Sequence, residues 1–172
     1  MKRILTVTIL AALFLATVAF VAGKAPLTKA TATVLADEGR SCSLGSAAGK
    51  WGFTTNGTVV GNGPRDSLGI FTLDGAGNLV NGKATSSLNG SITGETFSGT
   101  YTVNPDCTGA IAIDIFDLSG NKILSGTLNT VFDNDVRELR AMYTSAILPN
   151  GTALGVVITG SGKRVFSAET SR

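Results

Sequence analysis

Residues 97–115, FSGTYTVNPDCTGAIAIDI, have the pattern of two β-strands joined by a tight turn. The first run is rich in Thr, Tyr and Val, and the second alternates Ile with Ala or Asp, as a strand with one buried face does. In the turn, Pro105 fixes φ, and the side chains of Asn104 and Asp106 can hydrogen-bond to nearby backbone. Gly109 can accept a positive φ. The stretch therefore predicts a β-hairpin.

The same pattern, a strand-like run followed by a turn rich in Gly or Asn, recurs along the chain without a helical segment in between. Regular short strands in simple succession predict an all-β fold, a single eight-stranded antiparallel up-and-down β-barrel, since closure removes unpaired edges. The predicted strands are Lys50–Val60, Ser67–Leu73, Leu79–Ser87, Ile92–Val103, Ala110–Leu118, Lys122–Phe132, Arg137–Leu148 and Thr152–Thr159.

The N-terminus has the pattern of a secretory signal. Basic Lys2 and Arg3 precede the uncharged run Ile4–Val21, and small residues follow. We expect a signal peptide over residues 1–25, with a later A-x-A cleavage site at residues 30–32 as an alternative. An uncleaved membrane anchor is the other alternative, because the run nearly spans a bilayer. The predicted location is secreted or periplasmic, and the predicted domains are a flexible leader at 26–41, a barrel at 42–166 and a tail at 167–172.

The composition excludes several functions. Of the 14 basic residues, Lys2, Arg3 and Lys24 would leave with the signal, so 11 would remain against 12 acidic residues. No basic run survives that could bind nucleic acid. The chain has no histidine, which removes the Ser-His-Asp arrangement and the usual zinc sites. We expect no metal and no cofactor.

Two cysteines in an exported chain predict a disulfide between Cys42 and Cys107. The bond would tie the start of the barrel domain to the turn after the fourth strand. A redox role is disfavoured because there is no C-x-x-C spacing.

Three segments match the N-glycosylation sequon, beginning at Asn56, Asn89 and Asn150. Each begins with Asn-Gly, which is also the preferred dipeptide of tight hairpin turns. We interpret all three as turns or bulges, with glycosylation as the alternative.

Polar and aromatic side chains within the strands are the candidates for a site in the barrel lumen, because one face of each strand lines it. Glu95, Tyr101, Asp114, Arg140 and Tyr143 could point inward as an acid, a base or an anchor. Tyr101 and Tyr143 are the better candidates, because charged residues are seldom buried unpaired and more often face water. The lumen candidates for ligand binding are Trp51, Phe71, Glu95, Tyr101, Phe116, Arg140 and Tyr143.

Short segments resemble known barrels. The sequence Cys42-Ser43-Leu44, followed by Gly49-Lys50-Trp51, resembles the first strand of avidins, and residues 99–102 resemble another avidin strand. Gly49-Lys50-Trp51 is also similar to the G-x-W opening of lipocalins. Trp51 is the only tryptophan, whereas avidin sites stack biotin between several, so we interpret Trp51 as a lid or floor of the barrel.

A broader pattern runs from Cys42 to about Val165. It comprises CSL, GKWGF, FTLDGAGN and TFSGTYTVNPDCTG. The pattern resembles small exported bacterial proteins whose barrels are similar to allene oxide cyclases and dirigent proteins. This resemblance implies a hydrophobic lumen in which a reactive intermediate could be guided, but no motif of this chain matches the catalytic residues of those families.

These observations predict a barrel that binds a small apolar ligand, since eight strands leave room for side chains or one small molecule. Two alternatives stay open: a structural or surface barrel with a filled lumen, and a cofactor-free cyclase or isomerase in which Glu95, Tyr101 or Arg140 supplies polar contact. We expect no nucleic-acid partner, and membrane contact only through an uncleaved N-terminal segment.

Overall fold

A computed structural model describes residues 41–133 and 135–165. These residues form a closed barrel in which each strand pairs antiparallel with the next and β8 returns to pair with β1. The predicted all-β, eight-stranded up-and-down barrel is confirmed. The elements are α1 (Leu44–Ala47), β1 (Gly49–Val59), β2 (Gly63–Leu73), β3 (Asn78–Leu88), β4 (Ser91–Val103), β5 (Thr108–Asp117), β6 (Lys122–Asp133), β7 (Glu138–Ile147) and β8 (Val156–Arg164).

The predicted signal peptide, nearly all of the predicted leader and the predicted tail lie outside the described residues and stay predictions. Within the two described ranges, no helix is long and apolar enough to cross a membrane.

Two strands differ from the sequence prediction by four or more residues at one or both ends. β2 begins at Gly63 rather than Ser67, because Pro64 lies in the ladder opposite Thr58 and its carbonyl accepts a hydrogen bond from the Asn89 amide at 2.8 Å. Proline has no backbone N–H to donate to the ladder, so it is tolerated near the end of a strand. β8 begins and ends later than predicted, since residues 148–155 form a loop and the glycines at the end of β8 stay in the ladder with β1.

Helix α1 closes one end of the barrel and was not predicted. Its N-terminus has a capping box, in which Ser43 and Ser46 exchange side-chain to backbone hydrogen bonds. The buried Trp51 indole donates to the Ala47 carbonyl at 3.0 Å, and the Tyr101 hydroxyl donates to the Leu44 carbonyl at 3.0 Å. We call this closed end the floor, and Trp51, which the sequence indicates as a lid or floor of the barrel, is buried there.

Arg164, at the end of β8, contacts several parts of the floor. Its guanidinium lies 5.4 Å from the centre of the Trp51 ring, which permits a cation–π contact. It also donates to the Ser46 carbonyl and, at 3.0 Å, to the Val136 carbonyl. The guanidinium therefore connects β8, α1 and the turn before β7.

The predicted disulfide joins Cys42 and Cys107. The Cys42 amide also donates to the Pro105 carbonyl at 3.2 Å, so the chain before α1 is fastened to the β4–β5 turn. In this turn Cys107, not Gly109, has the positive φ, 66°. Gly109 lies in β5, where a Cβ atom would be 2.2 Å from the Thr102 carbonyl oxygen, so glycine is needed there for close approach of two strands.

The β2–β3 and β5–β6 turns, at opposite ends of the barrel, are stabilised by the same pattern of side-chain hydrogen bonds. Asp74 accepts hydrogen bonds from the backbone and side chain of Asn78, and Asp117 accepts the same pair from Asn121. The asparagine side-chain amide is the main reason that the pKa of each aspartate lies below its ordinary value.

The three Asn-Gly segments divide into two turns and one strand. Asn89 and Asn150 lie in turns, as predicted. For Asn56 the predicted turn or bulge is wrong, because this residue lies within β1, between Asp66 of β2 and Thr159 of β8. An Asn-Gly pair in a continuous ladder cannot be told from a hairpin turn by composition alone.

Candidate functional site

The lumen above the floor contains an apolar cavity of about 70 Å³. Three phenylalanines from β1, β2 and β4 line one side of it, with ring centres 5.6 Å apart for Phe53–Phe71 and Phe53–Phe97, and 6.2 Å for Phe71–Phe97. The opposite side is lined by isoleucines of β5 and leucines of β6 and β7. We call this space the inner cavity. It is dominated by hydrocarbon and aromatic surface.

A larger cavity of about 250 Å³ lies at the end of the barrel away from α1. We call it the outer cavity. Its walls come from the strand ends and loops that lie farthest from the floor, and most of its lining is aliphatic. The aliphatic lining residues are Val59, Leu88, Ile115, Ile123, Leu124, Ala146, Leu148, Leu154, Val156 and Ile158.

The wall of the outer cavity is interrupted between β7 and β8. Their ladder runs from Glu138↔Lys163 only to Met142↔Thr159. Beyond it, the Leu154 amide donates to the Ala146 carbonyl at 2.8 Å, so the loop before β8 takes over the pairing. This change brings the loop over the cavity mouth, where Leu148 and Leu154 line it.

A polar cluster lies where the two cavities meet. The Arg65 guanidinium Nη2 donates to both Glu95 carboxylate oxygens, at 3.1 and 2.8 Å. Ser86 Oγ donates to Glu95 Oε2 at 2.8 Å and accepts from Arg65 at 3.2 Å. Ser67 Oγ lies 2.8 Å from Ser86 Oγ. Glu95 is only 4% exposed, so this is a buried ion pair whose carboxylate is compensated by Arg65 and Ser86.

Strand register explains how the cluster assembles. Ser67 of β2 lies directly opposite Ser86 of β3, and Glu95 of β4 lies opposite Ala84, two residues from Ser86 on the same face of β3. Arg65 is two residues before Ser67 and therefore on the same face. Three consecutive strands thus place four polar side chains side by side.

Tyr143 of β7 faces this cluster from the other side of the lumen. It is half-buried and lines both cavities, as Arg65, Glu95 and Ile115 also do. Its ring lies against Gly126 of β6, where an added Cβ atom would be 2.9 Å from Tyr143 Cε1. The missing side chain at Gly126 therefore leaves room for the ring.

The Tyr143 hydroxyl is an available hydrogen-bond donor. Burial raises the pKa of the phenol above its ordinary value, and the negative charge of Glu95 acts in the same direction while Arg65 opposes it. The phenol is therefore protonated at neutral pH. Among residues 41–133 and 135–165, none forms a hydrogen bond with this hydroxyl.

The seven predicted lumen residues fall into three groups. Phe71, Glu95 and Tyr143 line the inner cavity. Trp51 and Tyr101 are buried in the floor and line neither cavity. The remaining two, Phe116 and Arg140, lie on the outer face.

The prediction that Phe116 and Arg140 lie in the lumen is wrong, and so is the inward position considered for Asp114. Phe116 lies opposite Thr96 and Lys122, on the face away from the lumen. Arg140 has a 74% exposed side chain that pairs with Asp133 at 2.8 Å. Asp114 pairs with Lys122 at 2.7 Å. All three alternate with inward-facing neighbours, so strand geometry directs them outward.

Sequence reasoning missed Arg65, Ser67 and Ser86. The predicted second strand begins at Ser67, so it excludes Arg65. The alternation of side chains along a strand could have identified Arg65 and Ser67. If β2 is extended toward the N-terminus, both residues lie on the same face as Phe71.

No protein-family model and no curated protein matches the chain. Similar solved structures include a redesigned β-barrel, mFAP1, bound to DFHBI, which is 16% identical, covers 71% of this chain and 98% of its own, and has a TM-score of 0.47. Another is the redesigned barrel mFAP0, also bound to DFHBI, at 18% identity, 69% and 98% coverage and a TM-score of 0.44. At these values the similarity indicates no ligand or activity for this chain. The resemblance to allene oxide cyclases and dirigent proteins stays a prediction beyond the barrel class.

Proposed function

We propose that this protein is an exported barrel that binds one small, mostly apolar molecule in its lumen. The observation that carries the proposal is the outer cavity of about 250 Å³, lined mainly by aliphatic side chains and located at the end that α1 does not close. Ligand sites in proteins are typically apolar concavities with a few converging polar groups. The polar cluster and Tyr143 supply those groups at the inner boundary of the outer cavity.

The compartment is part of the same proposal. A disulfide is stable outside the reducing cytoplasm, and the predicted signal at residues 1–25 would take the chain there. Binding in this compartment would carry or sequester an apolar molecule that water solvates poorly.

The cyclase or isomerase alternative would use the same polar groups for catalysis. A general base needs a lone pair within hydrogen-bond reach of the proton that it abstracts. Glu95 instead accepts hydrogen bonds from Arg65 on both oxygens and from Ser86 on one. This engagement favours a structural and recognition role for Glu95, and we therefore place binding before catalysis.

Filling the outer cavity should weaken ligand binding strongly. Val156 lines this cavity, whereas the next residue, Val157, is 60% exposed on the outer face of the same strand. We expect Val156→Trp to reduce binding of an uncharged naphthylamine dye at least about tenfold, since the indole would occupy the ligand volume. Val157→Trp, the matched control, should bind the dye as the unmodified protein does. Fluorescence titration of both folded variants measures the difference.

Two results would contradict the proposal. Equal dye binding by both variants would place the dye outside the lumen. Failure of the unmodified protein to bind the dye, fatty esters or alkanes, together with no lipophilic molecule in native mass spectrometry of the purified protein, would favour the structural barrel instead.

A further inference from the structure

The charge of the lumen determines what kind of apolar molecule can enter it. Arg65 and Glu95 are the only charged residues of the described chain that line either cavity. Because they neutralise each other at 2.8 Å, the lumen has no net charge. An entering anion therefore finds no unpaired cation.

A carboxylate ligand would have to leave water and compete with Glu95 for the Arg65 guanidinium. If it succeeded, Glu95 would be left as a buried and uncompensated charge, which is costly. If it failed, the ligand carboxylate would itself be desolvated close to the Glu95 carboxylate. An ammonium group faces the same penalty with the signs exchanged, since Glu95 is already paired. Both signs of ligand charge are therefore disfavoured.

The two serine hydroxyl groups of the polar cluster already donate their hydrogens within the cluster. Ser86 donates its hydrogen to Glu95, so Ser86 can only accept from Ser67. Ser67 therefore uses its own hydrogen toward Ser86 and has only lone pairs left for a ligand. The protonated Tyr143 hydroxyl, opposite the cluster, is a lumen donor that has no partner among the described residues.

We propose that the lumen selects uncharged lipophilic molecules that carry a hydrogen-bond acceptor, such as a ketone or ester carbonyl, and that Tyr143 donates the recognising hydrogen bond. The apolar parts of the ligand occupy the outer cavity and reach the inner one, while the carbonyl lies at their boundary beside Tyr143. This inference rests on the proposed function and specifies its ligand class.

The test compares three probes of equal chain length at neutral pH: a medium-chain methyl ester, the corresponding free acid as its carboxylate, and the parent alkane. Binding is measured by displacement of the uncharged naphthylamine dye. We expect the ester to bind at least about tenfold more tightly than the carboxylate, since the charge gains no partner. We also expect Tyr143→Phe to weaken ester binding about five- to tenfold and to leave alkane binding unchanged.

Tyr101→Phe is the matched control, because Tyr101 is the other tyrosine of the chain and its hydroxyl bonds the floor rather than the cavities. It should leave the order of the three probes unchanged. Carboxylate binding equal to or tighter than ester binding, or an equal loss of ester and alkane binding in Tyr143→Phe, would overturn the inference while leaving the lumen as a binding site. If the dye binds and none of the three probes displaces it, the inference fails while the lumen stays a binding site. If neither the dye nor any probe binds the unmodified protein, the proposed function fails and the inference fails with it.

Discussion

Replacing Cys42 and Cys107 together by alanine is expected to lower the free energy of unfolding by about 4 kcal/mol. The disulfide closes a loop between residues 65 positions apart, and the loop-entropy model gives a stabilisation of roughly that size for such a loop. The loss should be larger than for any single surface substitution. Trp51 is the only tryptophan and is buried in the floor, so its fluorescence can follow unfolding in denaturant.

The unmodified protein treated with reductant is the control for this variant. It should lose a similar amount of stability and regain it on reoxidation, because both treatments remove the same cross-link. An unfolding free energy that stays within about 1 kcal/mol of the oxidised protein would show that the cross-link does not stabilise the barrel.

Removing the positive partner of the buried ion pair should have a comparable effect. Arg65→Met keeps much of the side-chain volume but leaves the Glu95 carboxylate buried without its cation. Such an uncompensated charge typically costs about 3–5 kcal/mol. We expect a loss in that range, measured by denaturant unfolding of the disulfide-bonded protein.

Two further variants test whether the loss comes from the charge. Arg65→Met combined with Glu95→Leu should recover most of the stability, since removing both charges removes the imbalance. Arg140→Met breaks an ion pair on the outer face, where the arginine is 74% exposed, and should cost less than about 1 kcal/mol. If Arg65→Met and Arg140→Met lower the free energy of unfolding by the same amount, the ion pair in the lumen contributes no more to stability than one on the outer face.

The barrel could be predicted from the sequence because its determinants are local. Alternating apolar residues indicate strands, and turns such as residues 74–78 contain the side chains that hold them. Helix α1 could not be predicted in this way, since four residues are too few to show a helical period. Its position depends on distant partners, including Tyr101 and Arg164.

The candidate site was only partly predictable. Glu95 and Tyr143 stood out as polar residues in strands, but which face is inward depends on the absolute register of each strand. Arg140 is therefore predicted in the lumen and lies outside, whereas Arg65, which the predicted second strand excludes, lies inside. The ion pair joins residues of two strands that are not neighbours, and no spacing along the chain encodes that contact.

Methyl-resolved NMR during titration with the medium-chain methyl ester tests most directly whether the lumen binds an apolar molecule. Ile123, Leu124 and Ile158 line the outer cavity, whereas Leu68 and Ile92 are exposed on the outside of the barrel. The proposed function predicts saturable shifts of the lumen methyl signals and unchanged signals for the exterior ones. Shifts confined to the exterior methyl groups, or no shift at all, would contradict it.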